Sequence, residues 1–278
     1  MAGRFCAFSF VDRITSLERG GSVRGHYSIP AKVEAFPVSL VAEAVGQLAA
    51  WAAMTAVDFS HRPVAGIAGR IELLSIVQPG QVLDLGADLE SVDTDTVGYC
   101  GTACVAGRPV IRLRDCVGPM VPLKDFDEPD AVRERCVLLR TVGATAGGFL
   151  GLPALVLERG PCERGRLARA VLRVPSGAQF FADHFPRRPV FPGTLLMHAS
   201  MQTAAMLVEE FCGYDATWLP RTISDMKLRS FISPGVTLNL EARVTVSSEK
   251  GVSVATESRL NQRLVGSADV QFSAETDS

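Results

Sequence analysis

The amino-acid sequence predicts an α+β fold in which one structural unit occurs twice, each copy a curved antiparallel sheet wrapped around a single long helix. Three observations carry this. FPVSLVAEAVGQLA, beginning at Phe36, returns as FPGTLLMHASMQTA from Phe191, an offset of 155 residues. IVQPGQVLDLGADL returns as FISPGVTLNLEARV at the same offset, aligning Pro79 with Pro234 and Gly80 with Gly235. Each half then has one long apolar helix and several runs that alternate apolar and polar residues, the pattern of half-buried antiparallel strands rather than of parallel crossovers.

Taken in order, each half opens with an early strand pair and continues into its helix. Within the helices the offset aligns Pro37 with Pro192, Leu40 with Leu195, Ala44 with Ala199, Gln47 with Gln202 and Ala49 with Ala204. The segment Phe36 to Val57 is long enough to span a bilayer, but Glu43 and Gln47 sit inside it. A carboxylate at a bilayer centre costs about 2.5 to 3.5 kcal/mol, and no Lys or Arg cluster flanks the segment, so a buried core helix is expected and no membrane partner. After the Pro-Gly turns, period-2 runs at Val82 to Leu89, Val97 to Val105 and Thr237 to Val246 are bounded by Gly, Pro, Asp or Ser and read as strands. Leu83, Leu85 and Ala87 match Leu238, Leu240 and Ala242. Lys124 to Gly151 has no counterpart; it starts DFDEPD, ends TVGATAGGFLG, and is expected to be a linker with a short helix from Asp130 to Leu139. The expected division is therefore a first half over 1–123, a linker over 124–151 and a second half over 152–278.

Composition agrees with a folded core and narrows the function. With 278 residues, 47% hydrophobic and 21% charged, the chain can bury a sizeable interior. A net charge of -2 excludes a nucleic-acid binder working by bulk electrostatics. Seven cysteines, with only Cys100 and Cys104 closely spaced, do not compose a four-ligand zinc site; reduced thiols and a cytoplasmic location are expected. Cys100 and Cys104 share a strand face and are expected in the core, as are Trp51 and the methionines Met197, Met201 and Met206, which could also wall a tunnel. The apolar run Phe5 to Val11 is cut by Asp12 and Arg13 before it resembles an export signal.

The halves disagree just before the second helix. LERG at Leu17 matches LERG at Leu157 with an offset of 140, fifteen fewer than the helices show. Pro30 to Phe36 spans six positions, whereas Pro175 to Phe191 spans sixteen and reads PSGAQFFADHFPRRPVF. A loop kept by one copy only, with a histidine among aromatics and prolines, is expected to be functional.

FFADHFPRRPVFPGTLLMHASMQ resembles the active-site stretch of the 3-hydroxyacyl-acyl carrier protein dehydratases of the FabZ and FabA type, and FSFVDRITSLERG resembles the opening Val-Asp-Arg strand of that family. The resemblance implies a hotdog fold, here a double hotdog whose halves form an intrachain pseudo-dimer. It also implies a lyase of fatty acid or polyketide biosynthesis in which a His of one protomer works with an acid on the central helix of the other. The His is His184. The acid position of the second half is occupied by His198, while its repeat partner in the first half is Glu43, followed by Gln47 in the family's spacing. One complete site, His184 with Glu43, is therefore expected, and the reciprocal site is degenerate.

Dehydrating a 3-hydroxyacyl thioester needs a base for the C2 proton, a donor for the departing hydroxyl and a stabiliser for the thioester oxygen. A neutral imidazole suits the first, so His184 is the expected base. Glu43, flanked by Ala42, Ala44 and Val45, can stay protonated through desolvation and is the expected donor, with Gln47 one turn away supporting it. Pro192 and Gly193 open the second helix, so the Gly193 N–H is the expected oxyanion donor. The bland alternatives are a packed loop histidine, a buried glutamate satisfied by Gln47, and a simple helix start. His198, His184 and Asp183 lack ligand spacing, so no metal is expected, and no cofactor beyond the substrate's phosphopantetheine arm. Arg187 and Arg188, with Arg221, Lys227 and Arg229, could form a local patch for an acidic acyl carrier protein, with coenzyme A as the alternative carrier; whether such pseudo-dimers form homo-oligomers is left open by the sequence. Hydrolysis of the thioester by Glu43, or acyl binding without catalysis, are the competing functions.

Overall fold

Pro37 starts the first long helix and two left-handed residues stop it. Proline has no N–H to satisfy at a helix start, and Pro37 is extended (φ -64°, ψ 151°) immediately before α1 (Val38–Ala56). Beyond it, Asp58 and Phe59 adopt φ of 52° and 58°, and the Phe59 N–H donates to the Met54 carbonyl at 2.8 Å, closing the last turn. In this computed structural model, which describes residues 5–212, 217–248 and 251–274, α1 lies against a sheet built of β1 (Arg13–Leu17), β2 (Ser22–Ser28), β3 (His61–Pro63), β4 (Ile67–Leu73), β5 (Val82–Val92), β6 (Thr96–Val105) and β7 (Arg108–Pro122). The connecting segment carries α2 (Leu123–Phe126) and α3 (Pro129–Thr141), two helices where the sequence predicts one. The second half follows with β8 (Val156–Glu163), β9 (Leu167–Arg173), a single 3-10 turn (Gln179–Ala182), α4 (Gly193–Cys212), β10 (Trp218–Leu228), β11 (Thr237–Ser248), β12 (Gly251–Leu260) and β13 (Arg263–Ala274).

Both halves use the same strand order. Read inward from its free edge, the first runs β1-β2-β5-β6-β7-β4 and the second β8-β9-β11-β12-β13-β10, and the two meet where β4 pairs antiparallel with β10. The sequence repeat is thus a repeat of topology. Leu83, Leu85 and Ala87 on β5, and Leu238, Leu240 and Ala242 on β11, are all buried under the helix of their own half; each leucine contributes roughly 1.5 to 3 kcal/mol by leaving water. The Pro-Gly turns before these strands place Gly80 at φ +85° and Gly235 at φ +78°, a region an L side chain rarely enters. Among the described residues α1 is the one helix long and apolar enough to cross a membrane, and 67% of that stretch is buried inside the fold.

Two expectations about the core need correction. Cys100 and Cys104 do share a face of β6, but it is the outer one: Gly101 and Ala103 point at the helix, leaving both cysteines half-buried. Met206 is also only half-buried, because five residues beyond Met201 it has turned about 140° away from the stripe of Met197 and Met201. The connecting segment is no slack tether either. Its Phe149 ring packs edge-on against Phe10 and Phe36, at 5.2 and 5.8 Å between centroids.

Gly101 lets α1 sit close on β6. A Cβ there would lie 2.4 Å from Val45 Cγ1 and 2.9 Å from the Gly86 carbonyl oxygen. Gly101→Ala is expected to destabilise the fold by roughly 1 to 3 kcal/mol in urea unfolding, whereas Gly177→Ala, whose Cβ would meet nothing within 4 Å, should leave the midpoint unchanged.

Candidate active site

The loop retained only by the second half is shaped by its backbone. After the 3-10 turn, the N–H groups of Asp183 and His184 both donate to the Phe180 carbonyl, at 3.2 and 2.8 Å. Phe185 then takes a left-handed φ of 62°, a conformation that costs a bulky residue roughly 1 to 3 kcal/mol. Its ring is held from outside the loop: the Arg62 guanidinium of β3 stacks 4.2 Å from the ring centroid, and Phe126 of α2 meets it edge-on at 5.3 Å. Arg62 is in turn paired with Asp127 at 3.1 Å, a carboxylate almost entirely buried. A chain of contacts therefore runs from the connecting segment through β3 to the residue beside His184.

His184 Nδ1 lies 2.8 Å from the Val190 carbonyl. A carbonyl can only accept, so Nδ1 carries the hydrogen and Nε2 keeps its lone pair. Desolvation, aided by the nearby Arg62 charge and opposed by the Val190 hydrogen bond, lowers the imidazole pKa to about 3, so the ring is neutral at ordinary pH. The ring sits 4.3 Å from Phe185 and 5.5 Å from Phe8 between centroids.

Glu43, in the second turn of α1, lines the same cavity of about 210 Å³ as His184, Gly193 and Gln47. What surface it exposes faces that cavity. Desolvation raises its pKa above the ordinary carboxylate value, against the lowering effects of Thr194, Gln47 and Arg62. Gln47 Nε2 donates to Glu43 Oε1 at 2.9 Å, and Thr194 Oγ1, from the first turn of α4, donates to Oε2 at 2.6 Å. The Gly193 N–H is the first of α4 and has no acceptor within the helix, at its positive end. The four residues expected at one site, one pair from each half, thus border one cavity. Its apolar wall includes Trp51, Met54 and Met197, and Tyr99 also lines it, where burial holds the phenol pKa well above the usual value.

The other candidates fall elsewhere. His198 is half-buried on α4 and does not line this cavity; burial lowers its pKa. Asp183 accepts N–H groups of Phe5, Ala7 and Phe8 at 2.5, 2.6 and 3.0 Å, tying down the N-terminal segment beside the loop. Arg187 and Arg188 are exposed but engaged: Arg187 pairs with Glu128 and donates to the Lys124 carbonyl, while Arg188 lies over Phe126 and Phe231. Arg221 and Arg229 donate to Ser273 and Ser267. Sequence reasoning missed Thr194, Arg62 and Asp127. For Thr194 a signal existed, since Ser39 stands 155 residues before it; for the Arg62–Asp127 pair, 65 residues apart and in no motif, there was none.

Comparison with known proteins bears on the family and the fold. The model of the ApeI-like dehydratase family matches residues 162–266. A 3-hydroxyacyl-[acyl-carrier-protein] dehydratase FabZ of Wolbachia pipientis is 33% identical over 95 residues, 33% of this chain and 66% of the relative; that of Protochlamydia amoebophila is 30% identical over 93 residues, 34% and 60%. The chain thus spans slightly under two thirds of the length of these curated relatives. Among solved structures, a putative oleoyl thioesterase from Lactobacillus plantarum superposes with a TM-score of 0.61 at 9% identity, covering 92% of this chain and 97% of that one. A tesB protein of Mycobacterium avium subs paratuberculosis gives 0.62 at 11%, covering 95% and 96%. At such identities the likeness shows the hotdog fold alone.

The brace on Phe185 is testable. Asp127→Ala removes the buried carboxylate facing the half-buried Arg62 and is expected to cost about 3 kcal/mol in denaturant unfolding; Asp130→Ala, whose pair with Arg133 is exposed, should change it by less than about 0.5 kcal/mol.

Proposed function

We propose, from the premise that this is a FabZ-like hotdog protein, that the chain is a dehydratase removing water from a 3-hydroxyacyl thioester to leave the trans-2-enoyl thioester. On this reading it is a double hotdog, an intrachain pseudo-dimer in which 1–123 supplies the acid and 152–278 supplies the histidine loop. It has one site per chain. The observation that carries the proposal is the pairing, around one cavity, of a neutral imidazole with a bare Nε2 and a carboxyl whose pKa is raised by burial.

The roles follow from the atoms. His184 Nε2 takes the C2 proton, the electron pair moves toward the thioester carbonyl, and the Gly193 N–H stabilises the charge growing on that oxygen. The C2–C3 double bond then forms as the C3–O bond breaks, and Glu43 gives its proton to the departing hydroxyl, which leaves as water. His184 ends protonated and Glu43 ionised; returning the proton from one to the other restores the site. Acid–base chemistry suffices, with no cofactor besides the pantetheine arm of the substrate.

The names of the curated relatives specify an acyl carrier protein as carrier, and we extend that to this chain. Arg188, whose positive charge lies at the rim of the loop over two aromatic rings, is the better docking candidate than Arg187, which Glu128 already neutralises. Enoyl product without thiol release supports dehydration. Thiol release would instead indicate a thioesterase, and neither product a binding subunit.

Two outcomes are expected with a 3-hydroxyacyl pantetheine thioester. His184→Ala and Glu43→Gln should each lower kcat at least 100-fold, while His198→Ala keeps most of the rate; equal sensitivity at His198 would overturn the single site. The pH profile of kcat/KM should show no loss as pH falls through 6.5, because His184 stays neutral down to about 3. Activity should decline as pH rises through the raised pKa of Glu43, which must be protonated to act; an acid limb near 6.5 would contradict this.

A further inference from the structure

We propose that Thr194 is a positioning residue for Glu43, a hydroxyl supplied by the opposite half of the chain that holds Oε2 and alternates between accepting from it and donating to it as the carboxyl loses and regains its proton. The proposal rests on the reading of Glu43 as proton donor. It starts from Gln47. The Gln47 amide is fixed at both ends, its Oε1 accepting the Phe10 N–H at 2.8 Å and its Nε2 donating to the Phe8 carbonyl at 3.0 Å. Only Nε2 can therefore face Glu43, and the hydrogen it does not give to Phe8 meets Oε1.

An oxygen that already receives an N–H at that position is a poor seat for a proton. The acid proton of Glu43 accordingly belongs on Oε2, whose partner is Thr194 Oγ1 at 2.6 Å. A hydroxyl, unlike an amide nitrogen, can accept as well as donate. With Glu43 protonated, Oε2–H donates to Oγ1; when that hydrogen turns to the leaving hydroxyl and departs as part of water, the threonine hydroxyl rotates and donates to the anionic oxygen left behind. In both states Glu43 Oε2 and Thr194 Oγ1 stay hydrogen-bonded to each other.

The repeat supplies an internal control. Ser39 stands 155 residues before Thr194, just as Glu43 stands 155 before His198. Both copies thus carry a hydroxyl at this helix position. Ser39 is fully buried, and its Oγ has no hydrogen-bond partner among the described residues. The hydroxyl is engaged only in the copy that meets a carboxyl.

The experiment uses the full chain and the variants Thr194→Val, Thr194→Ala and Thr194→Ser. Glutamate labelled with carbon-13 at the carboxyl reports the Glu43 titration by NMR, its signal identified by its loss in Glu43→Gln. The valine and alanine variants should move the Glu43 midpoint upward, since the donated hydrogen bond that favours the anion is gone, and Thr194→Ser should keep the original midpoint. In turnover, Thr194→Val should lower kcat roughly 10-fold or more with KM little changed, and serine should restore most of it. An unmoved midpoint in both valine and alanine variants overturns the role of Thr194, whatever the activity. A moved midpoint in a protein that yields no enoyl product keeps the role and overturns the dehydratase reading instead.

Discussion

β4 and β10 hydrogen-bond along their length, with Ile71 opposite Ile223 and Arg70 opposite Ser224, and this pairing turns two sheets into one. Each long helix is fixed to the sheet of its own half, so the register of that seam decides where α1 and α4 stand relative to each other. A slip of one residue would turn every side chain of the strand to the other face. In the observed register the first turn of α4 meets the second turn of α1, and Thr194 reaches Glu43. Neither half contains that contact alone. The carboxyl and the imidazole are brought together by a backbone pairing whose own residues Ala68, Ile71 and Met226 line the cavity between them.

One physical cause prepares both reactive groups. Desolvation disfavours charge, so it raises the pKa of Glu43 and lowers that of His184, pushing each group toward its neutral form. Proton transfer in the proposed reaction makes both groups charged, with opposite signs, around the same cavity. Their mutual attraction offsets part of the desolvation that each would meet alone. Arg62 adjusts the balance from the wall: its positive charge lowers both pKa values, making the carboxyl a somewhat better acid and discouraging a stray proton on the imidazole.

How much of this was legible in the sequence depended on whether the signal was local. The repeat made legible the order of elements along each half, both helices and the Pro-Gly turns, because these obey spacing rules that act over a few residues; the order of strands within the sheet was not among them. The pairing of Glu43 with His184 across the halves came from the family resemblance, with the repeat locating the acid at Glu43, the counterpart of His198. Contacts between distant segments were opaque. The Arg62–Asp127 pair, the Phe149 ring on Phe10 and Phe36, and the hold of Asp183 on the N-terminal segment join residues that no periodicity connects. Cys100 and Cys104 show the complementary limit: a strand pattern says that two residues share a face, not which face meets the helix.

The brace built on Phe126, Asp127 and Glu128 lies in a stretch of chain that exists once for every two halves. In an assembly of two separate, identical subunits, anything that supports one loop has an equivalent supporting the other. A single connection between tandem copies removes that equivalence, since it leaves the end of one copy and arrives at the start of the next. Only one of the two symmetry-related positions can then be propped from the junction. The position with the prop is the one where the strained histidine loop is found.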